Sequence, residues 1–283
     1  MQQVPEDSSK KPLALFAGSG DLPRLLVKSC EKQARPLYIL AFQGQTESDL
    51  VEGRPHLWVH FGEVGKCLKY LKSNAVQEIV LAGGMTRPSL SEIRPDLKGA
   101  LWLAKLSAKA LGDDSFLKLL IQMMEAEGFK IVGADQILQD VLATKETLGT
   151  LGSVSPDAIA RSDIARGLEI LKALSSADVG QAVVIQQGLV LGVEAIEGTD
   201  ALIKRAGEHA RPGEKGILVK IAKTSQDNRA DLPTIGPETI KNLAKAGLRG
   251  VVIEAGRSLL LHREETIRLA DEAGIFIEGV LLS

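Results

Sequence analysis

Leu13-Ala14-Leu15-Phe16-Ala17-Gly18-Ser19-Gly20-Asp21-Leu22-Pro23 decides the fold. Five apolar residues suit a short buried strand, and the glycines turn the chain into a helix with Asp21 as its expected N-cap and Pro23 in its first turn. This is how a Rossmann-type unit opens. The first two glycines of a dinucleotide fingerprint are present, but Pro23 stands at the third, and Gln43-Gly44 rather than an acidic residue follow the next strand, so NAD binding is disfavoured. A helix N-terminus still offers backbone N–H groups to a phosphate or a sugar, which makes Gly18, Ser19 and Gly20 candidate substrate-binding residues. A tight strand-to-helix turn with no ligand is the plain alternative.

Beyond this stretch, strand-like and helix-like runs alternate as parallel-sheet units do, with strands expected near 37–42, 57–61 and 78–82 and a helix near 64–72. The loop Gly83-Gly84-Met85-Thr86-Arg87-Pro88-Ser89 then places Arg87 at the same sheet edge, to meet a phosphate or a uracil carbonyl, or to serve as an ordinary surface arginine. A helix is expected from Ala100. Asp113-Asp114 open the next one, where helix-dipole complementarity explains them without a ligand and a binding role for either is the alternative. The pattern loosens after a strand at 129–133, and Gly149, Gly152, Ser153, Ser155 and Pro156 mark a connector.

The totals fit two domains, since 283 residues exceed the usual size of one core and 45 % hydrophobic residues can fill two. The predicted organisation is a disordered tail over 1–11, a Rossmann-like domain with a mainly parallel sheet over 12–135, a linker over 136–156, and a mixed sheet with helices over 157–283. A formal charge of −2 supplies no basic field for nucleic acid. Cys30 and Cys67 sit in apolar helical patterns, so neither a disulfide framework nor a thiolate metal site is indicated. The polar start is no signal peptide and no run spans a bilayer, so a cytoplasmic protein is expected.

In the second half a helix is expected from Asp157, followed by a β-hairpin around Gln186-Gln187-Gly188 and a second hairpin around Glu254-Ala255-Gly256-Arg257. Glu194, Glu197 and Asp200, spaced by three across a strand end and a helix start, are candidate Mg²⁺ ligands, with helix capping by Thr199 and Asp200 as the plain reading. Asp178-Val179-Gly180-Gln181 adds a carboxylate and an amide before the first hairpin, with a turn as its plain explanation. The densest chemistry lies between a strand at 216–221 and a helix at 237–246, in a loop carrying Lys220, Lys223, Asp227, Arg229 and Asp231, with Pro233 and Gly236 as punctuation. Such loops at the carboxyl edge of an α/β sheet hold ligands: the cations suit phosphate oxygens and the carboxylates suit a metal or a water. A solvated loop of mutually paired charges is the alternative. The four histidines show no paired metal spacing.

Taken together, the 17–23 and 82–88 segments, Gly112-Asp113-Asp114, Asp178–Gln181, the 193–201 segment and Asp231-Leu232-Pro233-Thr234-Ile235-Gly236 resemble, in that order, the UDP-2,3-diacylglucosamine pyrophosphatase family of lipid A biosynthesis, the type unrelated to calcineurin-like phosphoesterases. The resemblance covers nearly all the chain after Lys11. It implies two α/β domains with a lipid-linked nucleotide-sugar between them. It also implies hydrolysis to 2,3-diacylglucosamine 1-phosphate (lipid X) and UMP with Mg²⁺, for which Mn²⁺ can stand in. Asp231 is the implied catalytic aspartate, supported by Asp227 and Lys223, with Gly18, Ser19, Gly20, Arg87, Gln181, Thr199, Lys220, Arg229 and Thr234 on the substrate. Thr224 stands where proline is common in the family's Lys-x-x-Lys segment. A lipid substrate further implies transient association with the inner membrane, and a homodimer is allowed. Hydrolysis of a different nucleotide-sugar and noncatalytic binding of a nucleotide or lipid are the rival readings.

Overall fold

The computed structural model describes residues 11–86, 89, 92–105, 113–138, 141, 143, 147–223, 227, 229 and 232–282. Most of the predicted tail, together with Arg87 and Asp231, lies outside them. The described residues up to 138, joined by Asp227 and Arg229, form one compact unit, and the remainder form a second.

The first unit runs β1 (Leu13–Ala17), α1 (Asp21–Lys32), β2 (Leu37–Phe42), β3 (His56–Val59), α2 (Val64–Ser73), β4 (Glu78–Ala82), α3 (Leu97–Lys105), α4 (Asp113–Ala126), β5 (Lys130–Ile131) and α5 (Ala134–Ile137). Its five strands pair in parallel in the order β3-β2-β1-β4-β5. β1 lies at the centre, buried along its whole length, as an unbroken apolar run between two parallel neighbours should be. The order reverses between β1 and β4, the place where open α/β sheets leave a crevice at their carboxyl ends. Two expectations change in detail. The N-cap of α1 is Gly20, at φ 96°, and Asp21 is its first helical residue. Helix α3 starts at Leu97, ahead of Ala100, because Asp96 Oδ1 accepts the Gly99 N–H at 2.8 Å and so caps the earlier turn.

The second unit contains β6 (Gly149–Leu151), α6 (Ala158–Ser175), β7 (Ala182–Gln186), β8 (Leu189–Val193), α7 (Gly198–Glu208), β9 (Ile217–Lys220), β10 (Thr234–Ile235), α8 (Pro237–Lys245), β11 (Gly250–Glu254), β12 (Leu259–Leu260), α9 (Arg263–Ala273) and β13 (Phe276–Val280). Its main sheet is mixed, in the order β6-β13-β11-β9-β7-β8, with β9, β11 and β13 parallel and the other pairings antiparallel. The sheet is covered on both faces, and the pleat sorts its side chains between them. Val184 and Leu218 join Leu202, Ile203, Ile240 and Leu243 in one cluster, while Val183, Ile185, Ile217 and Val219 join Ala160, Ile164 and Leu171 of α6 in another. Helix α6 comes close because Gly167 faces Val219, where a Cβ would sit 2.6 Å from a valine methyl.

The Gln186-Gln187-Gly188 hairpin forms as predicted. Gln187 and Gly188 take φ of 48° and 79°, the double positive of a type I′ turn. The Glu254–Arg257 hairpin does not form. β11 pairs with β9 and β13, whereas β12 leaves to pair in parallel with β10 in a separate two-stranded sheet. The turn is real, since the Arg257 N–H donates to the Glu254 carbonyl at 3.2 Å, but the strand after it finds its partner elsewhere.

The hairpin turn is anchored by Asp163 of α6, which is 1 % exposed and accepts the Gln187 and Gly188 N–H groups at 2.9 and 2.6 Å. Asp163→Ala removes both charge-assisted bonds and should lower stability by about 3 kcal/mol. The check is an earlier urea transition of the second unit; an unchanged midpoint would show that the turn holds without its carboxylate.

Candidate active site

Strand direction gathers polar residues at one edge of the second sheet. β9 and β11 end there with Lys220 and Glu254, β8 ends there just before Glu194, and antiparallel β7 begins there just after Gln181. The Ile221 N–H donates to the Gln181 carbonyl at 3.0 Å and the Glu194 N–H to the Ala182 carbonyl at 2.9 Å, which extends the ladder to these positions.

Lys220 is 7 % exposed, and its ammonium donates to the Thr234 carbonyl at 3.0 Å. Three residues on, Lys223 Nζ donates to Asp178 Oδ1 at 2.5 Å. Glu254 is 4 % exposed and accepts the Ala222 N–H at 3.2 Å, with the Arg257 guanidinium 3.4 Å from its other oxygen. Burial pushes the Glu254 carboxyl up from its ordinary range, and these two donors only partly oppose the shift. Arg257 also donates to the Lys223 carbonyl at 3.1 Å, tying the turn after β11 to the loop after β9. Thus Gln181, Lys220, Lys223 and Thr234, chosen from sequence, meet Asp178, Glu254 and Arg257, of which the last two had been assigned only to a turn. A carboxylate directly after the apolar run Gly250–Ile253 was the available signal, since strand ends in an α/β sheet face the ligand edge.

The acidic cluster is not assembled as a ligand set. Glu194 is 6 % exposed, and its two oxygens accept the Gln181 N–H at 2.9 Å and the Thr199 hydroxyl at 2.6 Å. Thr199 therefore steadies Glu194 instead of capping α7, whose N-cap is Glu197. Backbone N–H groups and Arg205, 2.6 Å away, hold the Glu197 carboxyl below its usual range, and Asp200 accepts from Asn242 at 3.0 Å. Among the described residues no three His, Cys, Asp or Glu side chains gather as metal ligands. Glu194, Glu197 and Asp200 thus do not fit a shared Mg²⁺ or Mn²⁺, and each has a structural partner instead.

In the first unit the two glycine turns interlock. The Gly18 and Ser19 N–H groups donate to the Ala82 and Gly84 carbonyls at 2.8 and 2.9 Å, and the Ser19 hydroxyl also reaches Gly84, at 3.1 Å. A Cβ on Gly83, which lies at φ 94°, would stand 2.6 Å from the Ser19 carbonyl and 2.8 Å from Pro23. The Gly20 N–H donates to Glu47 Oε1 at 3.3 Å, so a protein carboxylate takes the amide a phosphate would seek. Asp227 and Arg229 belong to this unit as well. Arg229 donates to Asp227 at 3.0 and 2.7 Å and to Glu125 at 2.6 Å, and this pairing holds the Asp227 carboxyl below its usual range.

Two family models match the chain, the LpxI N-terminal domain over residues 12–141 and the LpxI C-terminal domain over residues 147–278. A Caulobacter vibrioides protein named UDP-2,3-diacylglucosamine pyrophosphatase LpxI is 37 % identical over 277 residues, covering 95 % of this chain and 98 % of its own.

The raised pKa of Glu254 carries a sign. The folded chain holds this proton to higher pH than the unfolded chain does, so the stability it contributes is complete below the unfolded pKa and is lost as pH rises through the folded one. Glu254→Gln, which keeps an acceptor for Ala222, should therefore gain in Tm relative to the parent as pH rises from about 4 to 8. A Tm difference that stays constant across that range would remove Glu254 as the source.

Proposed function

The chain belongs to the LpxI family through both of its domains, and from that premise we propose that it hydrolyses the pyrophosphate bond of UDP-2,3-diacylglucosamine, releasing 2,3-diacylglucosamine 1-phosphate and UMP in lipid A biosynthesis. The observation that carries the reading is end-to-end identity of 37 % with a relative named for this substrate. The sheet edge of the second unit supports it chemically: two lysines, one of them almost wholly buried, present positive charge where a diphosphate gathers negative charge in the transition state.

In this mechanism Asp231 takes a proton from water as its oxygen attacks the β-phosphorus. The bond from that phosphorus to the bridging oxygen breaks, and UMP departs with the bridge. Asp227 is the weaker candidate for the base, because Arg229 lowers its proton affinity. Arg229 is paired with Asp227 and Glu125, Lys223 with Asp178, and Lys220 with the Thr234 carbonyl, and in this proposal the two lysines carry the cationic work. The family resemblance implies a need for Mg²⁺ or Mn²⁺, while Glu194, Glu197 and Asp200 are each engaged by a protein donor. A cytoplasmic location, with the protein meeting its lipid at the inner membrane, belongs to the same proposal; no helix among the described residues is long and apolar enough to cross a membrane.

Purified protein given UDP-2,3-diacylglucosamine should release UMP, and in ¹⁸O-water the label should enter the lipid product; label found only in UMP would move the attack to the other phosphorus. Asp231→Ala should lower kcat by about 10² or more, the usual worth of a general base, while UMP inhibits as before. Unchanged turnover in that variant would take Asp231 out of the mechanism.

A further inference from the structure

The turn from Glu254 to Ser258, at the end of β11, has its own backbone fastened on several sides. The Glu254 N–H donates to the buried Ser258 hydroxyl at 3.1 Å and the Ala255 N–H to the Val280 carbonyl at 2.8 Å. The Gly256 N–H donates to the Ala143 carbonyl, and the Arg257 N–H to the Glu254 carbonyl at 3.2 Å. A turn tied in this way to the neighbouring strand and to its own residues is a fixed platform.

From that platform two side chains reach the loop after β9. The Glu254 carboxylate accepts the Ala222 N–H at 3.2 Å, and the Arg257 guanidinium donates to the Lys223 carbonyl at 3.1 Å while lying 3.4 Å from Glu254. These contacts bracket Lys223: one grips the N–H of the residue before it, the other its own carbonyl. They begin where the sheet lets go, since β9 ends at Lys220 and the Ile221 N–H still donates to the Gln181 carbonyl at 3.0 Å.

The two grips differ in what accounts for them. Ala222 is buried, so its N–H needs an acceptor, and that alone explains the Glu254 carboxylate. Lys223 is part-exposed, and water can meet its carbonyl without help. A guanidinium adds direction, because its rigid fork of donors fixes the orientation of the groups it holds. The far end of Lys223 is held too, its ammonium donating to Asp178 at 2.5 Å. A long flexible side chain fixed at backbone and tip has lost most of its freedom before any ligand arrives.

We infer that Arg257 is a positioning residue for the hydrolysis: with Glu254 it clamps the peptide on either side of Lys223 and so sets where that ammonium meets the diphosphate. The inference rests on the functional reading above, in which Lys223 stabilises the transition state. Such stabilisation depends on a charge already standing in its place, so a group that sets the place affects the rate without touching the substrate.

Arg257→Met keeps an aliphatic stem and removes the guanidinium. Its kcat for UMP release should fall by about tenfold or more, as expected when a charge-stabilising group is displaced. In a Lys223→Met background the same change should alter kcat by less than about twofold, because a residue that acts only through Lys223 has nothing left to place. Losses that multiply in the double variant would show Arg257 acting on the substrate itself and overturn the clamp. Parental turnover in either single variant would overturn it as well.

A second readout needs no turnover. The Lys223 side chain is 12 % exposed, so the rate at which a small acylating reagent modifies its amine in the folded protein, followed by mass spectrometry, reports how firmly it is held. Arg257→Met should raise that rate at least about threefold, as release of a held segment exposes its side chains, and leave Lys220, anchored on the Thr234 carbonyl, unchanged. Unchanged labelling of Lys223 would overturn the assignment, and so would an equal rise at both lysines, the mark of general loosening. Labelling is independent of substrate, so it fails separately from the release of UMP by the parent protein, whose absence would instead refute the hydrolase.

Discussion

The second unit is organised around an ammonium group that has been taken out of water. Lys220 closes a strand flanked by β7 and β11, and only 7 % of it is exposed. The residues before it alternate between two apolar clusters. An amine so placed loses several kcal/mol of hydration unless oxygen atoms replace the water. The chain therefore has to come back: after the loop that leaves at Ile221, the Thr234 carbonyl returns to the ammonium, and β10 and α8 start from that point. The return point also gives β12 its partner, because the Leu259 N–H donates to the Pro233 carbonyl at 2.8 Å and β10 pairs with β12 in parallel. One buried charge thus ties the end of β9 to the start of β10, beside α8 and a small sheet.

How much of this could be read from the chain follows from how local each signal is. The strand-turn-helix opening at Leu13–Pro23 is local, and so is the Gln187-Gly188 turn, where two positive φ values force neighbouring strands to pair. Glu254–Arg257 carries the same apolar-turn-apolar pattern and a genuine turn, yet β11 and β12 go to different sheets. The pattern announces a change of direction without naming the partner, and parallel partners are distant in sequence. Strand β6 escaped notice for a related reason. It is three residues long, sits in a glycine-rich stretch, and exists because the edge of β13 is open to it, with Thr150 bonded to Glu278 at 2.7 Å.

Side-chain placement was legible where strand order decided it. Lys220, Lys223 and Gln181 reached a common edge because strand order placed them there. The acidic residues 194, 197 and 200 have the spacing of a ligand set, whereas a buried carboxylate first seeks nearby N–H and O–H donors. Gln181 and Thr199 satisfy Glu194, and Arg205 satisfies Glu197. Sequence spacing records which residues are neighbours along the chain; it does not record which of them are already satisfied.

That distinction separates the two units chemically. At the switch point of the first sheet, the amides of Gly18, Ser19 and Gly20 are spent on Ala82, Gly84 and Glu47, and the close approach of Gly18 to Gly83 leaves no room for side chains. A phosphate arriving there would have to displace a carboxylate already in place. At the edge of the second sheet the balance is reversed. Lys223 pairs with Asp178 and Lys220 with the Thr234 carbonyl, so two cations are held at one edge, and burial there pushes the Glu254 carboxyl up from its ordinary range. Of the two strand-end clusters, the second unit's is the one that brings lysines together, whereas the first unit's is the one whose turn amides are already taken up.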